Sequence, residues 1–439
     1  MMKRKILFYG FISFIFFIGC KEDAEENKGQ PYDPSKPIVL ERFLPETGGV
    51  GTKLIIAGDN FGNDKNLVKV KVNGKNAPVV NVIPTRIYAI VPSRADTGKI
   101  EVFVGDTLNV QTRAFEKDFI YIFKQNVSTI SGQTNVDGNG DVVDGTLDNA
   151  WYRRPEWITM DTDGVMFLLE ETGGLRIINQ SEDRVTTPFR VGGALGRVRT
   201  ACFTATQDTM YISHDTWDSN GIAIFTVTRN NGFMNIKPLA YGMTCNFCAI
   251  NPVDGEIFYN KYSTAVVLRY DKTKPNEGVV VSTNFDQSTE MHGIFTPDGK
   301  YMYLVCRNKH TIFRLTYDFQ TKSFRDAVPF AGPGSVTGNN AGFANGVGEA
   351  ARFNYPCQPA IDEHGYLFVA DKSNHCIRQI SPEGVVTTFA GVPGVKGYLD
   401  GEPTEALFNS PEGLYYNVNE GAFYVADYDN HRIRRIIIE

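Results

Sequence analysis

The chain has 439 residues, more than one hydrophobic core usually serves, so two or more folding units are expected. Hydrophobic residues make up 42%, aromatic residues 12% and charged residues 21%, which supplies ample apolar material for burial and argues against long disordered regions. The formal net charge is −6, and about −9 without the basic leader residues Lys3, Arg4 and Lys5, so nucleic acid is not an expected partner.

Met1 to Lys5 carries three positive charges, and Ile6 to Gly19 is an unbroken apolar run of signal-peptide length, short for a bilayer span. The run closes on Phe17-Ile18-Gly19-Cys20. This resembles the bacterial lipobox, where the leader is cut before a cysteine that then receives lipid, with Phe17 standing where Leu is usual. The following Lys21-Glu22-Asp23-Ala24-Glu25-Glu26 resembles the acidic signal that sends lipoproteins of Bacteroidetes to the outer face of the outer membrane; a solvated linker is the other reading. Together these resemblances imply a signal peptide over 1–19, lipid on Cys20, a flexible tether over 20–36 and an outer-membrane protein facing the cell exterior.

The six other cysteines, at 202, 245, 248, 306, 357 and 376, are too sparse for a disulfide scaffold and are expected in the core. Cys245-Asn246-Phe247-Cys248 has metal or redox spacing, yet neither a second such pair nor a paired His follows it, so no metal or cofactor is expected.

From 37 to 123 short runs alternate apolar and polar residues, as in Lys53-Leu54-Ile55-Ile56-Ala57 and Val68-Lys69-Val70-Lys71-Val72, each closed by Gly, Asn or Asp. These predict antiparallel strands. The pattern Pro45, Gly48-Gly49, Gly51-Thr52, Gly58-Asp59-Asn60-Phe61-Gly62, Val72-Asn73-Gly74, Ala77 and Val91-Pro92 resembles the IPT/TIG family. The resemblance implies an immunoglobulin-like sandwich acting as a spacer.

From 126 to 439 a repeat sets the expectation. Ala351-Arg352-Phe353-Asn354-Tyr355-Pro356, Phe368-Val369-Ala370-Asp371 and Asn374-His375 return as Ala406-Leu407-Phe408-Asn409-Ser410-Pro411, Tyr424-Val425-Ala426-Asp427 and Asn430-His431. Ala150 to Pro155 opens the region in the same grammar, and three looser units lie between, over 202–228, 248–271 and 292–318. Six units of about 52 residues each match four-stranded propeller blades. The fold class expected is therefore all-β, a small immunoglobulin-like β-sandwich plus a six-bladed β-propeller. The last unit lacks an outer strand, which Val127 to Gly132 is expected to supply, closing the ring. The Tyr/Phe-Val-Ala-Asp-x-x-Asn-His-x-Ile motif resembles the NHL repeat, clearly in the fifth and sixth units and in part at Arg307 to Ile312. The tandem is similar to Bacteroidetes surface proteins found alongside glycan-uptake machinery.

Asp371, His375, Asp427 and His431 invite an acid/base reading, but they recur at one blade position and are expected to bond turn backbone and to pack between strands. Tyr152, Phe353 and Phe408 are expected as blade-core aromatics. Positions that differ between repeats where the innermost strands begin are the candidates for ligand binding at the channel rim: Glu156, Trp157, Phe247, His292, Gln358 and Glu412. Trp217, Tyr262 and Arg307 join them from loops or strand ends. Aromatic faces beside hydrogen-bonding groups suit sugar rings, although such aromatics also serve simply to plug a channel.

The leading expectation is a non-catalytic surface protein that binds a polysaccharide or oligosaccharide, alongside other outer-membrane glycan-uptake proteins. One alternative is a propeller hydrolase or lyase acting on a carbohydrate or lactone, with Glu156 and Glu412 as rim carboxylates and Asp137 to Asp141 as a loop suited to structural calcium. Another is a protein-interaction platform. Phosphate-binding glycine loops and the Gly-x-Ser-x-Gly motif are absent from the sequence.

Overall fold

The computed structural model describes residues 29–106, 109–123, 125–192, 195–283, 285–334 and 340–438. These form two compact all-β units, one ending at Phe123 and one reaching Ile438. None of their helices is long and apolar enough to cross a membrane. The leader and Cys20 lie outside the described residues.

In the N-terminal unit one sheet orders its strands Val39–Leu44, Lys53–Asp59, Arg86–Ile90 and Val79–Ile83. The facing sheet runs Thr47–Gly48, Gln111–Tyr121, Gly98–Val104, Val68–Val72 and Lys75–Ala77. The period-two alternation sorts the side chains: Leu54 and Ile56 are buried while Lys53 and Ile55 face out. They share a core with Phe61, Val70, Ile87, Val102 and Phe119. Asn73 and Gly74 have φ of 46° and 78°, the left-handed pair a two-residue hairpin requires. Gly58 is fixed by space, since a Cβ there would lie 2.0 Å from the Val39 carbonyl oxygen.

Part of the expected tether is held in place. The Asn60 side-chain amide donates to the carbonyls of Asp33 at 2.9 Å and Lys36 at 2.8 Å, that of Gln111 donates to Lys36 at 2.8 Å, and Tyr32 packs on the sandwich core. The polar composition of this stretch is spent on turn hydrogen bonds, which composition alone does not distinguish from solvation.

The second unit is a ring of six sheets. Its innermost strands, Pro155–Met160, Arg197–Phe203, Cys248–Ile250, Met291–Phe295, Pro356–Ile361 and Pro411–Asn417, belong to blades 1 to 6 and touch one another in turn around a closed circle. Gln125–Ser131 pairs antiparallel with Arg432–Ile438, Val127 opposite Ile436. The outer strand of blade 6 thus comes from the start of the unit, as the sequence predicts, and the two ends of the unit are joined in one blade.

The repeat motif proves to be a buried ion pair with a platform. Arg176, Arg378 and Arg434 are fully buried and pair with Glu170, Asp371 and Asp427 at 3.2, 3.0 and 2.8 Å. Each guanidinium also donates to two loop carbonyls, such as Ala344 and Arg352 for Arg378. Each lies 5.0 to 5.1 Å over the ring of Tyr152, Phe353 or Phe408. Asp371 and Asp427 further accept the backbone N–H of Asn354 and Asn409. A buried charge survives only when so paired and bonded, which accounts for the recurrence of these residue types.

The motif histidines join blade to blade. His310 and His375 accept, at Nδ1, the backbone N–H of Tyr355 at 2.9 Å and Ser410 at 3.0 Å. Those two residues have φ of 60° and 56°, and each stands immediately before an innermost strand. The histidines therefore fix where the next blade enters the channel.

Candidate functional site

The innermost strands do not begin regularly. Ladder register shifts between Pro155 and Trp157, Val198 and Ala201, Pro356 and Pro359, and Pro411 and Gly413. Each shift leaves extra residues on the inner strand, and a β-bulge re-aims the side chains it carries. The bulged residues are Glu156, Arg199 with Thr200, Cys357 with Gln358, and Glu412. Blades 3 and 4 show no such shift at their first strand.

Just inside, the channel is plugged. Trp157 meets His292 edge to face at 5.1 Å, linking opposite blades 1 and 4, and its indole N–H donates to the Ala201 carbonyl at 2.9 Å. The Gln358 oxygen accepts the N–H groups of Ile158 and Leu414, and its amide donates to Ile158, so one side chain ties blades 5, 1 and 6. The far side of this plug opens into an apolar funnel of about 320 Å³ lined by the ends of the innermost strands, among them Ile250, Phe203, Phe295 and Tyr416.

The near side is a charged mouth of about 100 Å³ lined by Glu156, Glu171, Arg197, Arg199, Glu290, Arg307, Tyr355, Lys372, Glu412 and Tyr428. Arg307, Lys372 and Tyr428 each open the short 3-10 turn between the second and third strands of their blades. Glu412 is engaged by Arg307 and by Lys372 at 2.5 Å. Glu290 accepts the Tyr355 hydroxyl at 2.5 Å and lies 3.5 Å from Arg307, while Glu171 pairs with Arg197 and, at 2.8 Å, with Arg199. Lys372 sits 4.0 Å over Tyr428, and Arg307 5.0 Å over Tyr355. Glu156, 2% exposed, is held less closely: one oxygen is 3.5 Å from Arg199 and 3.9 Å from Arg307, and the other has no hydrogen-bond partner.

This asymmetry separates the two bulged carboxyls. Burial pushes Glu156 up to about 7, Arg199 countering it and the charge on Glu412 adding to it. Burial acts on Glu412 too, but Arg307 and Lys372 outweigh it and hold that carboxyl at about 2. Burial and then Arg307 drive His292 well below the usual histidine range, so its ring is neutral.

Of the residues read from the sequence, Glu156, Glu412 and Arg307 meet in the mouth, while Trp157, His292 and Gln358 form the plug. Trp157, 6% exposed, is therefore not an open platform. Phe247 does not face the rim; it is buried among Ala249, Phe258 and Met302, against Gly293, in the core shared by blades 3 and 4. Trp217, 77% exposed, and Tyr262, which opens the equivalent turn of blade 3, are outside the cavity lining. Asp141, in the loop considered for calcium, pairs with Arg153 at 3.0 Å, and no cluster of three or more His, Cys, Asp or Glu suited to a metal occurs among the described residues. The six described cysteines are free thiols, with Cys202 and Cys248 3.7 Å apart.

Arg199, Glu290, Tyr355, Lys372 and Tyr428 were not read as site residues from the sequence. A signal exists for two of them: Lys372 and Tyr428 directly follow Asp371 and Asp427, at a position where the two clearest repeats differ.

A sandwich followed by a six-bladed propeller with a plugged channel and one charged mouth defines a class of two-unit, all-β protein. A family model for the IPT/TIG domain matches residues 39–121, and one for the NHL repeat matches residues 408–436. An auxiliary nutrient binding protein from Bacteroides thetaiotaomicron VPI-5482 is 32% identical over 93% of this chain and 99% of its own, with a TM-score of 0.68. Another from Bacteroides ovatus ATCC 8483 is 27% identical over 93% and 100%, with a TM-score of 0.71. A Bacteroides thetaiotaomicron protein with a provisional phosphatase name is 28% identical over 93% and 98%, with a TM-score of 0.67. The chain belongs to this family of Bacteroides proteins in which an IPT/TIG domain precedes an NHL-repeat propeller. Among curated proteins, NHL repeat-containing protein 2 of Bos taurus is 35% identical over 100 residues, which span 22% of this chain and 14% of that protein's length.

Proposed function

We propose that this protein is a non-catalytic, lipid-anchored surface protein that binds a saccharide at the charged mouth of its propeller, beside other glycan-uptake components of the outer membrane. The observation that supports it most is the mouth itself. Fixed donors and acceptors converge there beside the rings of Tyr355 and Tyr428, a combination suited to a hydroxyl-rich ligand. The two nutrient-binding relatives support ligand capture. Glu412, locked between Arg307 and Lys372, is poorly placed to act as a nucleophile.

The test is affinity electrophoresis of the chain after Cys20 against a polysaccharide panel, with product analysis on the same mixtures. Retardation without new reducing ends or unsaturated products is expected. A hydrolase or lyase is the second reading, favoured by one observation: the two bulged carboxyls are pushed apart, to about 7 and about 2, the usual basis for an acid and base division of labour. New products establish that reading, and neither binding nor products points to a protein partner. The anchor has its own test, since fatty-acid labelling in cells is expected to vanish in Cys20→Ser.

A further inference from the structure

The floor of the mouth has a loosely held buried carboxyl that neutral sugar recognition does not use. Two buried guanidiniums, Arg199 and Arg307, face one carboxyl, Glu156, that stands 3.5 and 3.9 Å away and leaves one oxygen without a hydrogen-bond partner. The other acids are engaged more closely. Glu412 holds Arg307 and Lys372, Glu171 holds Arg197 and Arg199, and Glu290 takes the Tyr355 hydroxyl. Asp215, at the end of the second strand of blade 2, adds a charge near Arg199 and Arg197, and His292 beneath is neutral. Glu290 shares the same two guanidiniums at 3.9 and 3.5 Å but also takes the Tyr355 hydroxyl, so Glu156 is the carboxyl in this set held only at long range, and the one most readily replaced.

Resting on the saccharide reading of this mouth, we propose that its floor is an anion subsite: the carboxylate of a uronic acid enters between Arg199 and Arg307, and Glu156 takes up one proton from solvent as it does so. Proton and anion arrive together, so the local charge is unchanged, and the new carboxylate gains the charge-assisted bonds that Glu156 lacks. The protonated Glu156, a residue of the cavity lining, becomes a donor through the oxygen that has no partner. The cavity, about 100 Å³ against roughly 300–1,000 Å³ for a pocket that encloses a small molecule, admits one functional group and leaves the sugar ring outside the mouth. Burial already places the Glu156 carboxyl near 7, so the coupled uptake falls within an accessible pH range.

The experiment compares a uronic-acid trisaccharide, the same trisaccharide with its carboxyls reduced to alcohols, and a sulfated neutral trisaccharide. The full chain after Cys20 is titrated calorimetrically with each. The acid form is expected to bind at least tenfold more tightly than the reduced form. Its affinity is expected to fall about tenfold from pH 6 to pH 8, where two buffers of different ionisation heat read about one proton taken up. E156Q, neutral at every pH, is expected to bind the acid form about tenfold more tightly than the native chain at pH 8, with no proton uptake; should E156Q fail to fold, the uptake by the native chain decides. Equal affinity for the acid and reduced forms, or binding without proton uptake, overturns the subsite and leaves the saccharide reading standing. Preference for the sulfated form overturns the carboxylate assignment. No binding of any of the three overturns the saccharide reading and this inference with it.

Discussion

Arg307 is buried with one nitrogen on Glu412, another 3.5 Å from Glu290, and its plane over Tyr355. Replacing it by Met keeps the stem and removes the charge, leaving the 1% exposed Glu412 with Lys372 alone. Breaking a buried pair from one side costs about 3–5 kcal/mol, so R307M is expected to unfold at distinctly lower urea. Trp157→Ala removes the plug and its bond to Ala201, at about 3–5 kcal/mol by the cost of large core truncations. Trp217→Ala, at an exposed site, is expected within about 0.5 kcal/mol of the native chain. Denaturant melts of both variants check this contrast; equal losses would mean that the channel is not held by Trp157.

At the scale of the strand, closure and entry matter most. The Val127 N–H donates to the Gly401 carbonyl at 2.8 Å, and the residue stands opposite Ile436 in the closing strand. Val127→Pro removes that donor within the strand that seals the ring. Loss of about 1 kcal/mol is expected for the hydrogen bond removed at this half-buried acceptor, read as a lower melting temperature for the propeller transition while the sandwich transition is unmoved. The bulges are the other element-scale device, for a one-residue insertion is enough to aim Glu156 or Glu412 down the axis. The sequence announces three of the four only as Pro followed by an unlike residue and the fourth, after Val198, not at all, and it carries no sign that Phe247 turns away from the rim.

Over the whole molecule, His310 and His375 tie blade 4 to blade 5 and blade 5 to blade 6 by accepting backbone N–H groups. An imidazole accepts only when neutral. Burial lowers both, with Lys396 acting the same way on His375. A folded-state value below the unfolded 6.5 means that the unfolded chain binds more protons, so stability is fully present above about pH 6.5 and declines as pH falls below it. The propeller is expected to melt at lower temperature at pH 5 than at pH 7.5, and the double variant H310N/H375N is expected to lessen that dependence, the remainder belonging to the buried His292. An unchanged acid dependence in the double variant would locate the titrating groups elsewhere.

The repeat in the sequence was enough to determine the blade count, the closing strand and the structural character of Asp371, Asp427, Phe353 and Phe408, because local motif and register carry that information. Alternation and hairpin dipeptides likewise determined the sandwich. The mouth was decided only by tertiary structure. Arg199, Glu290, Arg307, Lys372 and Glu412 come from four of the six blades and are up to 213 positions apart in the chain, and a blade motif does not encode which of its variable positions will converge on the axis. Whether a channel residue is a platform or a plug was decided the same way. Trp157 has one identity and two possible fates, and the choice rests on His292 lying across the ring from it and on the Ala201 carbonyl in the neighbouring blade.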